Sequence, residues 1–283
     1  MSKELKWNDE LVAKFWDEVA NSHLDSLSFA KVAGQQLFNL ISVQLSLQNT
    51  ILDFGAGSGD FTEILLKNGY RVAVYEPSVK RKDVLLTRLS KYNNFLGVVD
   101  KVGAAQFDTV LVLEVIEHIL DDVFDKTVDD IVNFLKPHGK LIVTTPYKED
   151  IINHRVYCPV SDVFFHPWQH VRNFDKSQMI GLFNQHKVNC LDFQVVDFSN
   201  YTKVYNKLNE LQKFYGDLQT AIFATRSSSL RSLKKKLFFW LFPDVLDVKN
   251  KLQTLDKIVA DLIELKVIVG RGDCIIYIGE KNG

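Results

Sequence analysis

Three glycines at alternate positions, Gly55, Gly57 and Gly59, follow directly on the apolar run Thr50–Phe54 and precede a helix-forming stretch from about Phe61 to Lys67. A glycine-rich turn between a strand and a helix can set backbone N–H groups and the positive end of the helix around a ligand. Glycine suits such a turn because a Cβ would block close approach and because some positions need φ > 0. Asp53 stands just ahead of the first glycine, where a carboxylate can meet the positive end of a bound molecule. Glu76 closes the next strand, 17 residues after Gly59. In a doubly wound sheet the ends of adjacent strands lie side by side, so this acid falls beside the turn and can accept both hydroxyls of a ribose. A tight turn and a solvated strand-end acid would explain each feature singly; their order is what makes them informative. The turn lacks the sixth-position glycine of the G-x-G-x-x-G dinucleotide pattern, which disfavours a nicotinamide-dependent oxidoreductase.

The elements that position these residues follow from periodicity. Residues 8 to 46 read as helical, with Leu11, Phe15 and Val19 at four-residue spacing. Strands are expected at Thr50–Phe54, Arg71–Tyr75, Phe95–Val99, Phe107–Leu113, Lys140–Thr145, Leu191–Phe198 and Asp273–Glu280. Helices are expected at about 61–67, 79–92, 121–135 and 176–186, with a turn at Lys136–Gly139. Strands alternating with helices of this length make βαβ units and a mostly parallel sheet covered on both faces. Residues 201–270 break the pattern: Val204, Leu208, Leu211, Tyr215, Leu218 and Ile222, then Val245, Val248, Leu252, Leu255, Val259 and Leu262, carry heptad spacing. Two such helices form a helical hairpin inserted before the last strand. The expected organisation is an N-terminal helical cap at 1–48, a ligand-binding domain at 49–200 with 271–283, and the insertion at 201–270.

Ile51-Leu52-Asp53-Phe54-Gly55-Ala56-Gly57-Ser58-Gly59 resembles the first motif of class I S-adenosylmethionine-dependent methyltransferases, and Glu76 their acid after the second strand. Phe107 to His118 is similar to their fourth strand and the segment beyond it, and Phe134 to Pro146 to their fifth-strand motif. Glu114-Val115-Ile116-Glu117-His118 is similar to the ubiquinone-biosynthesis O-methyltransferase branch. The resemblance spans roughly residues 50–198 and implies a doubly wound, seven-stranded α/β sheet of order 3-2-1-4-5-7-6 with the last strand antiparallel. It implies S-adenosylmethionine as cofactor, held by Asp53, Gly55, Gly57, Gly59, Glu76 and Glu114. One departure is the absence of the Gly-Asp pair that follows the third strand in the family and contacts adenine; Asp100 stands nearest to that place.

Methyl transfer to oxygen or nitrogen needs positioning and a base near the acceptor's proton. The resemblance puts Glu114–His118 near the transferred methyl, with His118 as first candidate for the base and Glu117 to orient it; the plainer alternative is a helix cap. Phe164 to Phe174 would overhang the same place. There His170 is a second base candidate, and His166 and Arg172 are expected at the acceptor, Arg172 as a bidentate clamp for an anion. Alternatively these side chains fasten the loop to the sheet edge. Glu114, Glu117, His118 and a later histidine also resemble the metal ligands of small-RNA 2′-O-methyltransferases, but the flanking match after His170 is poor, and no metal ligands are assigned. Cys158-Pro159-Val160-Ser161 offers one thiol where a zinc site would need a second.

Lys and Arg number 34 against 35 acidic residues, a net charge of −1, so nothing electrostatic favours a nucleic-acid partner. Three scattered cysteines and an N-terminus without an apolar core point to the cytosol. Residues 226–242 join five cations to a block of aromatics, suited to a peripheral membrane contact, a lid or a core-facing stripe. The heptad helices suit a homodimer contact. The reading is an enzyme methylating a small-molecule acceptor, such as a sugar, quinone or phenol, on oxygen or on nitrogen. An RNA 2′-O-methyltransferase with a divalent metal, or a non-catalytic module built on the same fold, are the alternatives.

Overall fold

The computed structural model describes residues 3–99, 106–198 and 272–283. The inserted hairpin with its 226–242 stretch and heptad faces lies outside the described residues, as does Asp100.

The central sheet is built from strands that are apolar on both faces, as strands between two helical layers must be. β2 (Thr50–Phe54), β3 (Arg71–Tyr75), β4 (Phe95–Val98), β5 (Phe107–Leu113) and β6 (Leu135–Pro146) run parallel. The last strand, β10 (Cys274–Lys281), enters antiparallel between β6 and β9 (Val188–Val196). The order β4-β3-β2-β5-β6-β10-β9 is therefore the seven-stranded, doubly wound arrangement expected. Helices α3 (Asp60–Lys67), α4 (Val79–Leu89), α5 (Phe124–Asn133) and α6 (Lys176–Gln185) provide the crossovers. Val128, Ile131 and Val132 of α5 and Met179 and Phe183 of α6 join Leu52, Val110, Val112, Leu141, Val143 and Tyr277 in one buried cluster.

Three details differ from expectation. The helical stretch 8–46 is broken. α1 (Asp9–Ala20) ends at Asn21, a 3₁₀ turn spans His23–Leu27, and α2 (Phe29–Ile41) begins after Ser28. Asn21, Ser22 and Ser28 are residues whose side chains compete for backbone hydrogen bonds, and Ser22 does accept from the Leu24 N–H. The predicted turn at Lys136–Gly139 does not interrupt the chain's pairing. It is a bulge within β6, marked by the register shift opposite Phe107–Thr109 and by the positive φ of His138. Finally, β1 (Lys3–Glu4), β7 (Val156–Cys158) and β8 (Val163–Phe165) form a second, three-stranded sheet that periodicity over two or three residues could not reveal.

Candidate active site

The chain leaves β2 through Gly55, whose N–H and that of Ala56 both donate to the Tyr75 carbonyl at 2.8 and 3.3 Å. Gly55, Gly57 and Gly59 take φ of 77, 57 and 78°. They serve different ends. A Cβ on Gly55 would stand 2.7 Å from Val115 Cγ2, and one on Gly59 2.7 Å from Leu85 Cδ2, so these two glycines let the protein close on itself. A Cβ on Gly57 would find no atom nearer than Arg81 Nη1, at 3.9 Å. Gly57 thus shows its bare face to open space, which is the cradle a nucleoside ligand needs.

Glu76 is buried beside that loop, Oε2 accepting from the Gly57 N–H and Oε1 from the Ser78 N–H, both at 3.0 Å. Burial pushes its carboxyl up, against the hydrogen bonds from Ser78 and Gly57 and the charge of Arg81. Each carboxylate oxygen still has a lone pair for a sugar hydroxyl. Asp53 differs from expectation. It lies beneath the loop, 3% exposed, with Oδ2 taking the Thr62 hydroxyl at 2.5 Å. There it braces the loop on α3. Burial raises it to about 6, with Thr62 opposing and Glu76 adding.

Beyond β5, Glu114 turns the chain with φ of 53° into a short 3₁₀ turn, Ile116–His118. Because Val115 packs on Gly55, this turn starts at the edge of the glycine loop. The Glu114 carboxylate accepts from Cys274 Sγ at 3.5 Å, so it leans toward β10 and away from the cofactor contact expected of it. Glu117 is wholly buried; Oε2 accepts from Thr145 Oγ1 at 3.0 Å and Oε1 has no partner. Burial, then the neighbouring Glu114 charge, drives the Glu117 carboxyl well up. Burial also drives His118 down to about 3, the nearby His170 adding to it, so its imidazole is neutral at physiological pH.

His118 and His170 come together as expected, ring centroids 4.9 Å apart. What joins them to the sheet was not anticipated. Glu149, just after β6, gathers three histidines: His170 Nδ1 at 2.5 Å from Oε2, with His166 Nε2 at 3.1 Å and His154 Nδ1 at 3.2 Å from Oε1. Burial works against its charge, yet the hydrogen bonds from His166 and His170 prevail and hold it well below the usual carboxylate range. His166 is 3% exposed and its Nδ1 accepts from the N–H groups of Trp168 and His170 at 3.3 and 3.2 Å. It fixes the loop's shape. Arg172 likewise fastens the loop: its guanidinium lies 3.6 Å over the Phe124 ring and Nη2 donates to Asp121 at 2.5 Å. Both side chains, expected at the acceptor, have loop-fastening contacts in the structure.

Trp16 of α1 was also missed. Its ring meets His118 edge-on at 4.9 Å, lies under Arg81 at 5.7 Å, and its Nε1–H donates to Gln169 Oε1 at 3.0 Å. Gln169 is wholly buried and donates in turn to the His118 carbonyl at 3.0 Å. Its amide could have been singled out between His166 and His170; an aromatic in an amphipathic helix carries no such mark.

A family model described as a methyltransferase domain matches residues 27–190. A comparison with curated proteins finds no match. Among solved structures, the phosphoethanolamine N-methyltransferase 2 of Haemonchus contortus, in complex with phosphomonomethylethanolamine and S-adenosylhomocysteine, is similar at 18% identity and a TM-score of 0.54, over 96% of this chain and 60% of that one. The Burkholderia thailandensis 1,6-didemethyltoxoflavin-N1-methyltransferase, with bound 1,6-didemethyltoxoflavin and S-adenosylhomocysteine, is similar at 18% identity and a TM-score of 0.50, over 70% of this chain and 87% of that one. Among the described residues no helix is long and apolar enough to cross a membrane. With its glycine loop open at Gly57, Glu76 beside it and this strand order, the chain belongs to the methyltransferase-domain family and is a class I S-adenosylmethionine-dependent methyltransferase.

Proposed function

We propose that the chain methylates an oxygen of a small-molecule acceptor, such as a phenol, quinol or sugar, seated against the Glu117–His118–His170 cluster. Gly57 and Glu76 hold the cofactor, whose ribose hydroxyls suit the Glu76 carboxylate. Bound there, S-adenosylmethionine supplies an electrophilic methyl group on a cationic sulfur. Transfer to a hydroxyl leaves one proton to be removed, and the chain's own residues must receive it. Supporting the reading is the contact of Val115 with Gly55, which sets the cluster at the rim of the cofactor loop. Glu149 accepts from His170 Nδ1–H, fixing the tautomer that leaves Nε2 unprotonated. His118, with so low a proton affinity, is the poorer base at neutral pH, which makes His170 the group oriented for the proton. The likeness of Glu114–His118 to the ubiquinone O-methyltransferase branch also favours oxygen over nitrogen.

The test is transfer of labelled methyl from S-adenosylmethionine to a panel of phenols, hydroquinones and sugars. His170→Ala is expected to lower turnover by about 10²–10⁴, the usual share of a general base, with S-adenosylhomocysteine affinity within about twofold of wild type. Full turnover in the variant, on an acceptor the wild type methylates, would remove His170 from the chemistry.

A further inference from the structure

Glu117, His118 and His170 each offer a ligand atom, and the three atoms lie within 4.8 Å of one another. No hydrogen bond joins the three to one another, although the Glu117 and Glu114 carboxyls are hydrogen-bonded to each other. Glu117 Oε1 is wholly buried without a partner, and His118 Nδ1 is buried without one too. Oε1 stands 3.8 Å from His118 Nε2, too far to accept a proton from it. A buried carboxylate oxygen without a donor is unfavourable, the more so if charged. In a tetrahedral site two ligand atoms at about 2.1 Å from one ion are about 3.4 Å apart, so the 3.8 Å pair need close by only about 0.4 Å to hold an ion. The remaining pairs, all within 4.8 Å, must also draw in as the ion binds.

We infer that Glu117, His118 and His170 bind one divalent transition-metal ion of the zinc class at the acceptor side of the site. Two imidazoles and one carboxylate suit zinc or cobalt; magnesium and calcium favour all-oxygen sites. The second group of possible ligands, Glu149, His166 and His170, is accounted for differently. Glu149 contacts its imidazoles at hydrogen-bond distances, and a carboxylate holding the far nitrogen of a histidine is the usual outer partner of a metal-bound ring. With Nδ1 held by Glu149, His170 has Nε2 left to offer to the ion. Three protein ligands leave a coordination position for an acceptor oxygen, whose pKa the ion lowers. In the ion-bound protein His170 is a ligand and no longer the base, so the acceptor's proton, made more acidic by the ion, passes to solvent. The inference rests on the acceptor site proposed above, but ion binding is measurable without any acceptor.

The experiment is calorimetric titration of the chelator-treated full chain with zinc chloride, repeated with cobalt chloride to read the visible spectrum of the bound ion. One equivalent of zinc is expected, with affinity lowered at least about 100-fold in His118→Ala and in His170→Ala. In Glu149→Gln the loss is about 10–100-fold, as for outer partners elsewhere. Glu117→Gln keeps the size of the side chain and guards against a variant that fails to fold, with S-adenosylhomocysteine binding as the check on folding in all four. Zinc affinity unchanged in both histidine variants, or a cobalt spectrum that Glu117→Gln and His170→Ala leave unaltered, overturns the inference. If zinc does not bind while His170→Ala still loses turnover, the metal is wrong and the methyl-transfer site stands. If zinc binds as stated but no hydroxylated acceptor is methylated, the site is metal-bound and the assignment to oxygen fails.

Discussion

The three glycines of the cofactor loop share a left-handed backbone, yet substituting them should have separable effects. At Gly57 an added Cβ meets no protein atom closer than Arg81 Nη1 at 3.9 Å, the end of a flexible side chain, so the main cost to the folded protein is that of placing an L-residue at φ of 57°. That is roughly 1–2 kcal/mol, or a melting temperature lower by about 2–8 °C in a chain of this size. At Gly55 the same backbone cost applies, and the new Cβ also stands 2.7 Å from Val115 Cγ2. Overpacking of that kind adds about 1–3 kcal/mol, for a total near 2–5 kcal/mol. Gly57→Val should therefore fold and melt within a few degrees of wild type while losing S-adenosylhomocysteine binding, because its side chain fills the space the ligand needs. Gly55→Ala, with the smaller residue, should be the less stable protein. Scanning calorimetry orders the stabilities and titration calorimetry reads the binding. Wild-type affinity in Gly57→Val, or Gly55→Ala melting above Gly57→Val, would refute the assignment of the open face to Gly57.

Two other outcomes follow from the acids. Glu76→Ala should weaken S-adenosylhomocysteine by about 10–150-fold, since it removes a charged acceptor worth roughly 1.5–3 kcal/mol; loss below threefold in calorimetry would displace Glu76 from the cofactor site. Asp53 ionises near 6 in the folded chain against an ordinary 3.8, so the unfolded chain releases this proton first and the native state loses stability as pH rises from about 4 to 6. Above that window the penalty is complete, on the order of 3 kcal/mol. Asp53→Asn should then be more stable than wild type at pH 7.5 and nearly equal to it at pH 4; urea unfolding at the two values decides, and an equal difference at both would show that burial is not what raises Asp53.

The sheet was legible because its signals are local and repeated. Apolar runs such as Ile51–Phe54 and Val110–Leu113 alternate with helices such as α5, whose Val128, Ile131 and Val132 recur at one face. Gly57 and Glu76 were legible because strand adjacency turns a sequence offset into proximity. Asp53 was placed correctly on its strand but misjudged in direction: alternation puts successive side chains on opposite faces, and which face holds Thr62 depends on packing that no spacing states. Glu149 escaped notice for a related reason. Its three histidines come from positions 5, 17 and 21 residues further on, the last two brought back by the β7–β8 hairpin, an element of two short strands without measurable periodicity. Trp16 reaches His118 from a helix more than a hundred residues away in sequence, a contact set only by how the N-terminal cap docks.

The site's electrostatics bear on what it binds. Asp53, Glu76, Glu114 and Glu117 all have carboxyls pushed upward, with burial the largest cause in each. Desolvated acids at the ends of neighbouring parallel strands are a liability to the free protein, because each disfavours its charged form. A ligand carrying positive charge reverses this: it restores to the carboxylates the attraction that water supplied, and the ligand-bound state takes up charge that the free state suppresses. The sulfonium of the cofactor adds one positive charge near the ends of these strands, and the ion inferred above would add two beside Glu117. The neutral imidazole of His118 adds no cation to oppose them. The same burial that weakens the empty chain therefore favours cationic over neutral ligands, giving a site for S-adenosylmethionine a physical preference over its uncharged product.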